Sequence, residues 1–152
     1  MESTPVRDKL VIINDTKLLS QVREFMSRTI RASALPPEDE NKVILAVDEA
    51  VSNIIEHGYE DDTQGEIEIE VEADAERFKI RVKDKGKNFD PGSMNKVDIL
   101  EHVKAGRKKG LGIFLMRQIM DEVRYIFREG VENELTLVKY CRPAKPAGQP
   151  GA

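Results

Sequence analysis

The sequence predicts an α/β (α+β) two-layer sandwich: a mixed, mainly antiparallel sheet with helices on one face. Three observations predict it. Period-two alternation of apolar and polar residues appears in neighbouring pairs, at residues 66–72 with 78–82 and at 123–127 with 134–140. Helical spacing appears before the first pair and between the two pairs, so the order is β-α-α-β-β-loop-α-β-β and the helices can cover only one side. A doubly wound fold would need strands and helices in alternation, which this order lacks.

The elements follow in order. Residues 10–13, LVII, form a short apolar run stopped by Asn14-Asp15, which reads as a first strand. Over residues 16–32, Leu18, Leu19, Val22, Phe25, Met26 and Ile30 recur at helical spacing. Pro36-Pro37 ends that helix. Pro37 also suits the start of the next one, with Glu38, Asp39 and Glu40 near its positive end. The second helix is expected over 38–56, closed by His57-Gly58. In the strand EIEIEVE, at 66–72, one face is buried and the other acidic. Residues 73–76 connect it to the strand FKIRV. Residues 85–109 form a long stretch rich in Gly, Lys, Asn and Asp, a length that marks functional or mobile loops. A third helix is expected over 110–123, and a final hairpin turns across Gly130. Residues 1–142 read as a single domain, and 143–152, rich in Pro, Gly and Ala, as a disordered tail.

Bulk properties exclude several functions. A length of 152 residues suits one domain with its own core. The net charge of −4 argues against direct nucleic-acid binding, which usually brings a basic excess. The cations at 104–109 form a local anion site and no duplex footprint. No apolar run approaches the roughly 18 residues of a membrane span. The N-terminus has no apolar signal core, and the single Cys141 cannot form an internal disulfide, so a cytoplasmic setting is expected. Nothing near Cys141 in sequence would activate its thiol, and a packed side chain is expected there.

Three segments carry chemistry. On the second helix Val43, Val47, Ala50, Val51 and Ile54 define the apolar face, and Glu49, Asn53 and His57 step along its edge at i,i+4 spacing. A carboxylate and an amide oxygen on one ridge are suited to holding Mg²⁺ or taking a proton from a hydroxyl. Taken alone, the ridge reads as a solvated helix face. Next, Asp84-Lys85-Gly86-Lys87-Asn88-Phe89 follows a strand. A carboxylate there can accept from a ring amine, and Gly86 lets backbone approach a planar ring. An ordinary Asp-Gly turn is an equal reading. Last, Arg107-Lys108-Lys109-Gly110-Leu111-Gly112 opens a helix, where unpaired N–H groups and adjacent cations suit phosphate. It is neither a Walker loop nor a dinucleotide fingerprint, and a lone Gly-x-Gly is weak evidence.

The ordered set is specific. Through "AVDEAVSNIIEHGY", "VKDKGKNFDP" and "KKGLGIFLMRQIMDEV" the chain resembles the histidine-kinase-like (Bergerat-fold) ATPase superfamily over roughly residues 10–140. Within it, the chain is similar to the small bacterial anti-sigma-factor serine-protein kinases. No phosphoacceptor helical hairpin is present, so it is not a sensor histidine kinase. The resemblance implies ATP and Mg²⁺ as cofactors, Asn53 as Mg²⁺ ligand and Glu49 as general base toward a partner's serine. It implies Asp84 at the adenine amine with Gly86 and Phe89 nearby, and Arg107, Lys108, Lys109, Gly110, Leu111 and Gly112 as lid and phosphate cradle. It also implies a homodimer that binds a sigma factor and phosphorylates an anti-anti-sigma antagonist. An ATP-binding anti-sigma or partner-switch module with little kinase activity is the alternative. Asn88 stands where the superfamily often has Gly. The lid cations fall in a segment that varies across the family.

Overall fold

The computed structural model describes residues 5–58, 64–85, 108–128 and 132–141. Five strands form one sheet in the order β1-β2-β3-β5-β4: β1 (Val6–Ile13), β2 (Glu66–Ala73), β3 (Arg77–Asp84), β4 (Glu122–Arg128) and β5 (Glu132–Tyr140). Three helices accompany it: α1 (Leu19–Arg31), α2 (Glu40–Asn53) and α3 (Lys108–Ile119). Element order and layering are as the sequence predicts. All four strand pairings are antiparallel, so the mainly antiparallel sheet contains no parallel pair among the described residues.

Two helix boundaries differ from the periodicity. Before α1 the chain makes a 3-10 turn, Thr16–Leu18, because the Asp15 side chain accepts from the Lys17 N–H and caps a tighter turn. The second helical stretch is a composite. Pro37–Asp39 is a 3-10 turn with Pro at its start, α2 follows, and Ile54–Gly58 is a π-helical turn. The third helix begins at Lys108, two residues earlier than the glycines alone mark, and stops at Ile119 before Met120 and the bend at Asp121.

The strands alternate strictly. Ile67, Ile69, Val71 and Ala73 of β2, and Phe78, Ile80 and Val82 of β3, are buried under the helices. They meet Val22, Phe25, Met26 and Ile30 of α1, and Val43, Ala46, Val47, Ala50 and Val51 of α2. Burial of this apolar area is the main driving term of the fold, at about 25 cal/mol per Å². On the opposite face the Glu row of β2 lies between cations. Lys9 reaches Glu68 at 3.2 Å, and Arg81 Nη1 reaches Glu70 at 3.2 Å. Cross-strand pairing of opposite charges makes the acidic face predicted from β2 alone a nearly balanced lattice.

Strand register and helix pairing fix which residues share an end. Ile13, Glu66, Asp84 and Asn133 stand at one end, here called the upper; Val6, Ala73, Arg77 and Tyr140 stand at the lower. α1 leaves the upper end of β1 and runs downward, so that Arg28 pairs with Asp8. α2 runs antiparallel to it, joined by Arg31–Glu40 at 3.0 Å and Arg23–Asp48 at 2.9 Å. Its last residue, Asn53, is therefore carried to the upper end. α3 packs on α2 and finishes at the lower end, where the Asp121 N–H donates to the Val138 carbonyl. Its N-terminus therefore points to the upper end as well.

Candidate functional site

Asn53 follows Ala46 and Ala50 at i+7 and i+3, which places it on the buried stripe of α2. It is 6% exposed, deeper than a residue at the edge of the apolar face. Its Nδ2 is buried and has no hydrogen-bond partner among the described residues. A buried amide without a partner costs about 1–3 kcal/mol, and such groups are rare enough to need a reason. The carboxamide's two ends can exchange by a flip of the side chain, so either an N–H donor or a carbonyl oxygen can be offered to a ligand. Glu49 lies one turn before it, half-buried. The π-helical turn begins immediately after Asn53, and the Ile54 N–H is shared between the carbonyls of Ala50 and Val51. Single π turns inside helices recur at functional sites, where they re-aim a side chain.

Asp84 ends β3 on the helix-facing side and is 6% exposed. The Asn133 Nδ2 donates to its Oδ1 at 3.1 Å, inside the protein. Asn133 was not among the residues singled out from the sequence. The signal available there was slight: one Asn at an inward position of β5, in a segment whose other inward residues are apolar.

Lys108, Lys109, Gly110, Leu111 and Gly112 all lie in the first turns of α3. A helix starting at Lys108 puts Gly110 in the first turn, whose N–H groups have no partner within the helix, and Gly112 one turn further in. The α3 N-terminus brings a positive partial charge to the upper end. Gly86, Phe89 and Arg107 lie outside the described residues, as does the segment 143–152.

The structure therefore gathers Glu49 and Asn53, Asp84, and the start of α3 at one end of the sheet. Among the described residues no group of three His, Cys, Asp or Glu side chains could hold a metal. A metal held here would rest on few protein oxygens and take the rest from a ligand or water, which is the habit of Mg²⁺ with phosphates. The orphaned Asn53 amide fits that donor set. Cys141 is buried as expected; its Sγ lies 3.7 Å from the Asp74 carbonyl, and burial pushes its thiol up from the ordinary value. No helix among the described residues is long and apolar enough to cross a membrane.

Comparison with known proteins agrees with this geometry. A family model of the histidine kinase-like ATPase domain matches residues 12–139. The chain is 31% identical over 129 residues to the serine-protein kinase RsbW of Staphylococcus aureus, covering 82% of this chain and 80% of that protein. It is 32% identical over 96 residues to the serine-protein kinase RsbW of Listeria monocytogenes, covering 60% of this chain and 61% of that protein. A two-layer fold, a site at one end of its sheet and a match over most of the chain lead to one conclusion: this protein belongs to the histidine kinase-like ATPase family, on its RsbW-like branch.

Proposed function

We propose that the chain is an ATP-dependent serine-protein kinase and anti-sigma factor, which binds a sigma factor and phosphorylates an anti-anti-sigma antagonist in a partner-switching pathway. The observation that carries the reading is the buried, unpartnered Asn53 amide at the end of the sheet that also holds Asp84 and the start of α3. Likeness to two serine-protein kinases supports the phosphoryl acceptor being a serine.

Each residue has a distinct task in this reading. Asp84 accepts a hydrogen bond from the adenine amine, and Gly86 and Phe89 border the ring. Asn53 holds Mg²⁺ through its carboxamide oxygen. Mg²⁺, when bound, supplies charge neutralisation to the phosphates. The α3 N-terminus, with Arg107, Lys108 and Lys109, stabilises negative charge on the transferred group. Glu49 orients the partner's serine hydroxyl and takes its proton as the oxygen attacks the γ-phosphorus. The serine oxygen gains the phosphoryl group, and ADP leaves with the electron pair of the broken bond. A homodimer in the cytoplasm completes the proposal.

Incubation with γ-labelled ATP and a candidate antagonist tests it. Labelled phosphoserine on the antagonist is the expected result. Bound nucleotide with no phosphoserine would reduce the protein to a nucleotide-binding switch module, and no Mg-ATP binding at all would sink both readings.

A further inference from the structure

Asp84 and Asn133 stand opposite one another in the β3–β5 register, both on the helix-facing side. The inward positions below them on the same two strands, Val82, Ile80 and Phe78, with Leu135 and Leu137, are apolar and buried. At the upper end of this ladder the interior instead receives a carboxylate 6% exposed and a carboxamide 2% exposed, joined at 3.1 Å. Removing both groups from water is unfavourable even when they bond each other, and an apolar pair would close the ladder at lower cost. At the lower end the matching inward positions, Ala73 and Phe78, are apolar. The polar pair is thus not a requirement of the sheet.

We propose that Asn133 is a positioning residue: by holding one oxygen of Asp84, it aims the other at a ring amine and makes the site select a 6-aminopurine over a 6-oxopurine. The inference rests on the reading of Asp84 as the base-binding carboxylate. An ionised carboxylate only accepts hydrogen bonds. Facing an exocyclic amine it gains a charge-assisted bond; facing a ring carbonyl it meets another acceptor. A carboxylate free to turn can swing away from the carbonyl, and discrimination is lost. With Oδ1 held by the Asn133 amide in the interior, where water does not compete for the bond, Asp84 cannot re-aim. A site built to bond a particular N–H rejects the analogue lacking it far more strongly than a merely apolar pocket does.

Calorimetric titration of the full chain with Mg-ATP and with Mg-ITP tests the proposal. ITP differs from ATP in carrying a ring carbonyl where adenine carries its amine. The comparison uses wild type, Asn133→Val, Asn133→Thr and Asp84→Ala. Valine and threonine are both strand formers of similar shape, and only threonine retains a donor. Asn133→Leu, closer in volume, serves the same comparison should the valine variant fail to fold. Wild type is expected to prefer ATP by about tenfold or more, the worth of one hydrogen bond to a charged group. The donorless variant is expected to lose most of that preference, and Asn133→Thr to recover much of it. A merely structural role would weaken both nucleotides together and leave their ratio unchanged. An unchanged ratio in the donorless variant, with the ratio lost in Asp84→Ala, overturns the role of Asn133 alone. Unchanged ATP binding and ratio in Asp84→Ala overturn the base-binding reading, and the inference with it.

Discussion

At the lower end of the sheet, polar side chains close the backbone; at the upper end, on the middle strands, they face the interior. The Asp74 Oδ1 accepts from the N–H groups of Glu76 at 2.8 Å and Arg77 at 3.0 Å, making the β2–β3 turn. The Asp121 Oδ2 accepts from the Tyr140 N–H at 2.7 Å, and the Cys141 N–H donates to the Glu76 carbonyl at 2.8 Å. These groups satisfy backbone that would otherwise be exposed or orphaned. The upper end has one such tie at its edge, where Asn14 and Gly65 bond reciprocally at 3.0 and 2.9 Å. Further in, Asn53, Asp84 and Asn133 are buried where no turn needs them. The difference teaches how to tell a structural polar group from a functional one in the same sheet: the first bonds local backbone, and the second is carried to the interior with bonding capacity directed elsewhere.

Substitutions at the two ends should separate cleanly. The largest effect is expected for Glu49→Ala, which should cut phosphoryl transfer by about 10²–10⁴-fold, the usual contribution of a general base. Nucleotide affinity should change little, so a single-turnover assay beside a binding titration checks both halves. Transfer at the wild-type rate would remove Glu49 from the chemistry. Lower in size, Asp74→Ala should leave nucleotide binding untouched and reduce the melting temperature by about 2–4 °C for each kcal/mol of closure lost. Its pH dependence has a definite sign. The N–H groups of Glu76, then of Arg77, hold the Asp74 carboxyl below its ordinary 3.8. The stability it adds is therefore complete above that ordinary value, and is lost as pH falls through the lowered folded value. Melting curves of wild type and variant should converge in acid; a gap that persists or widens there would contradict the assignment. The smallest effect is expected for Arg31→Ala. Arg31 is largely exposed where it meets Glu40, and exposed pairs contribute little and are screened by salt. Its melting shift should be near the detection limit and vanish in about 1 M salt.

Much of the fold was legible because alternation is hard to disguise. EIEIEVE and FKIRV can bury only one face each, and the order of elements left one layered arrangement. Boundaries were less legible where side chains compete with periodicity, as at Asp15, Pro37 and the turn after Asn53. At the site, the glutamate–asparagine spacing was visible, but the depth of Asn53 was not. An asparagine at the edge of an apolar stripe and one within it differ by a modest rotation about the helix, and packing on α3 decides the matter. Asn133 was illegible for another reason. Its role depends on register with Asp84, 49 positions away, and on a bond that no local pattern encodes.

The most direct test of the central claim is one calorimetric experiment: titration of Mg-ATP into wild type, Asn53→Ala and Asp74→Ala. The account predicts binding by wild type, the same affinity in Asp74→Ala, and at least about a tenfold loss in Asn53→Ala, as expected on removing a group that bonds a charged ligand. Wild-type affinity in Asn53→Ala, or an equal loss in Asp74→Ala, would contradict it.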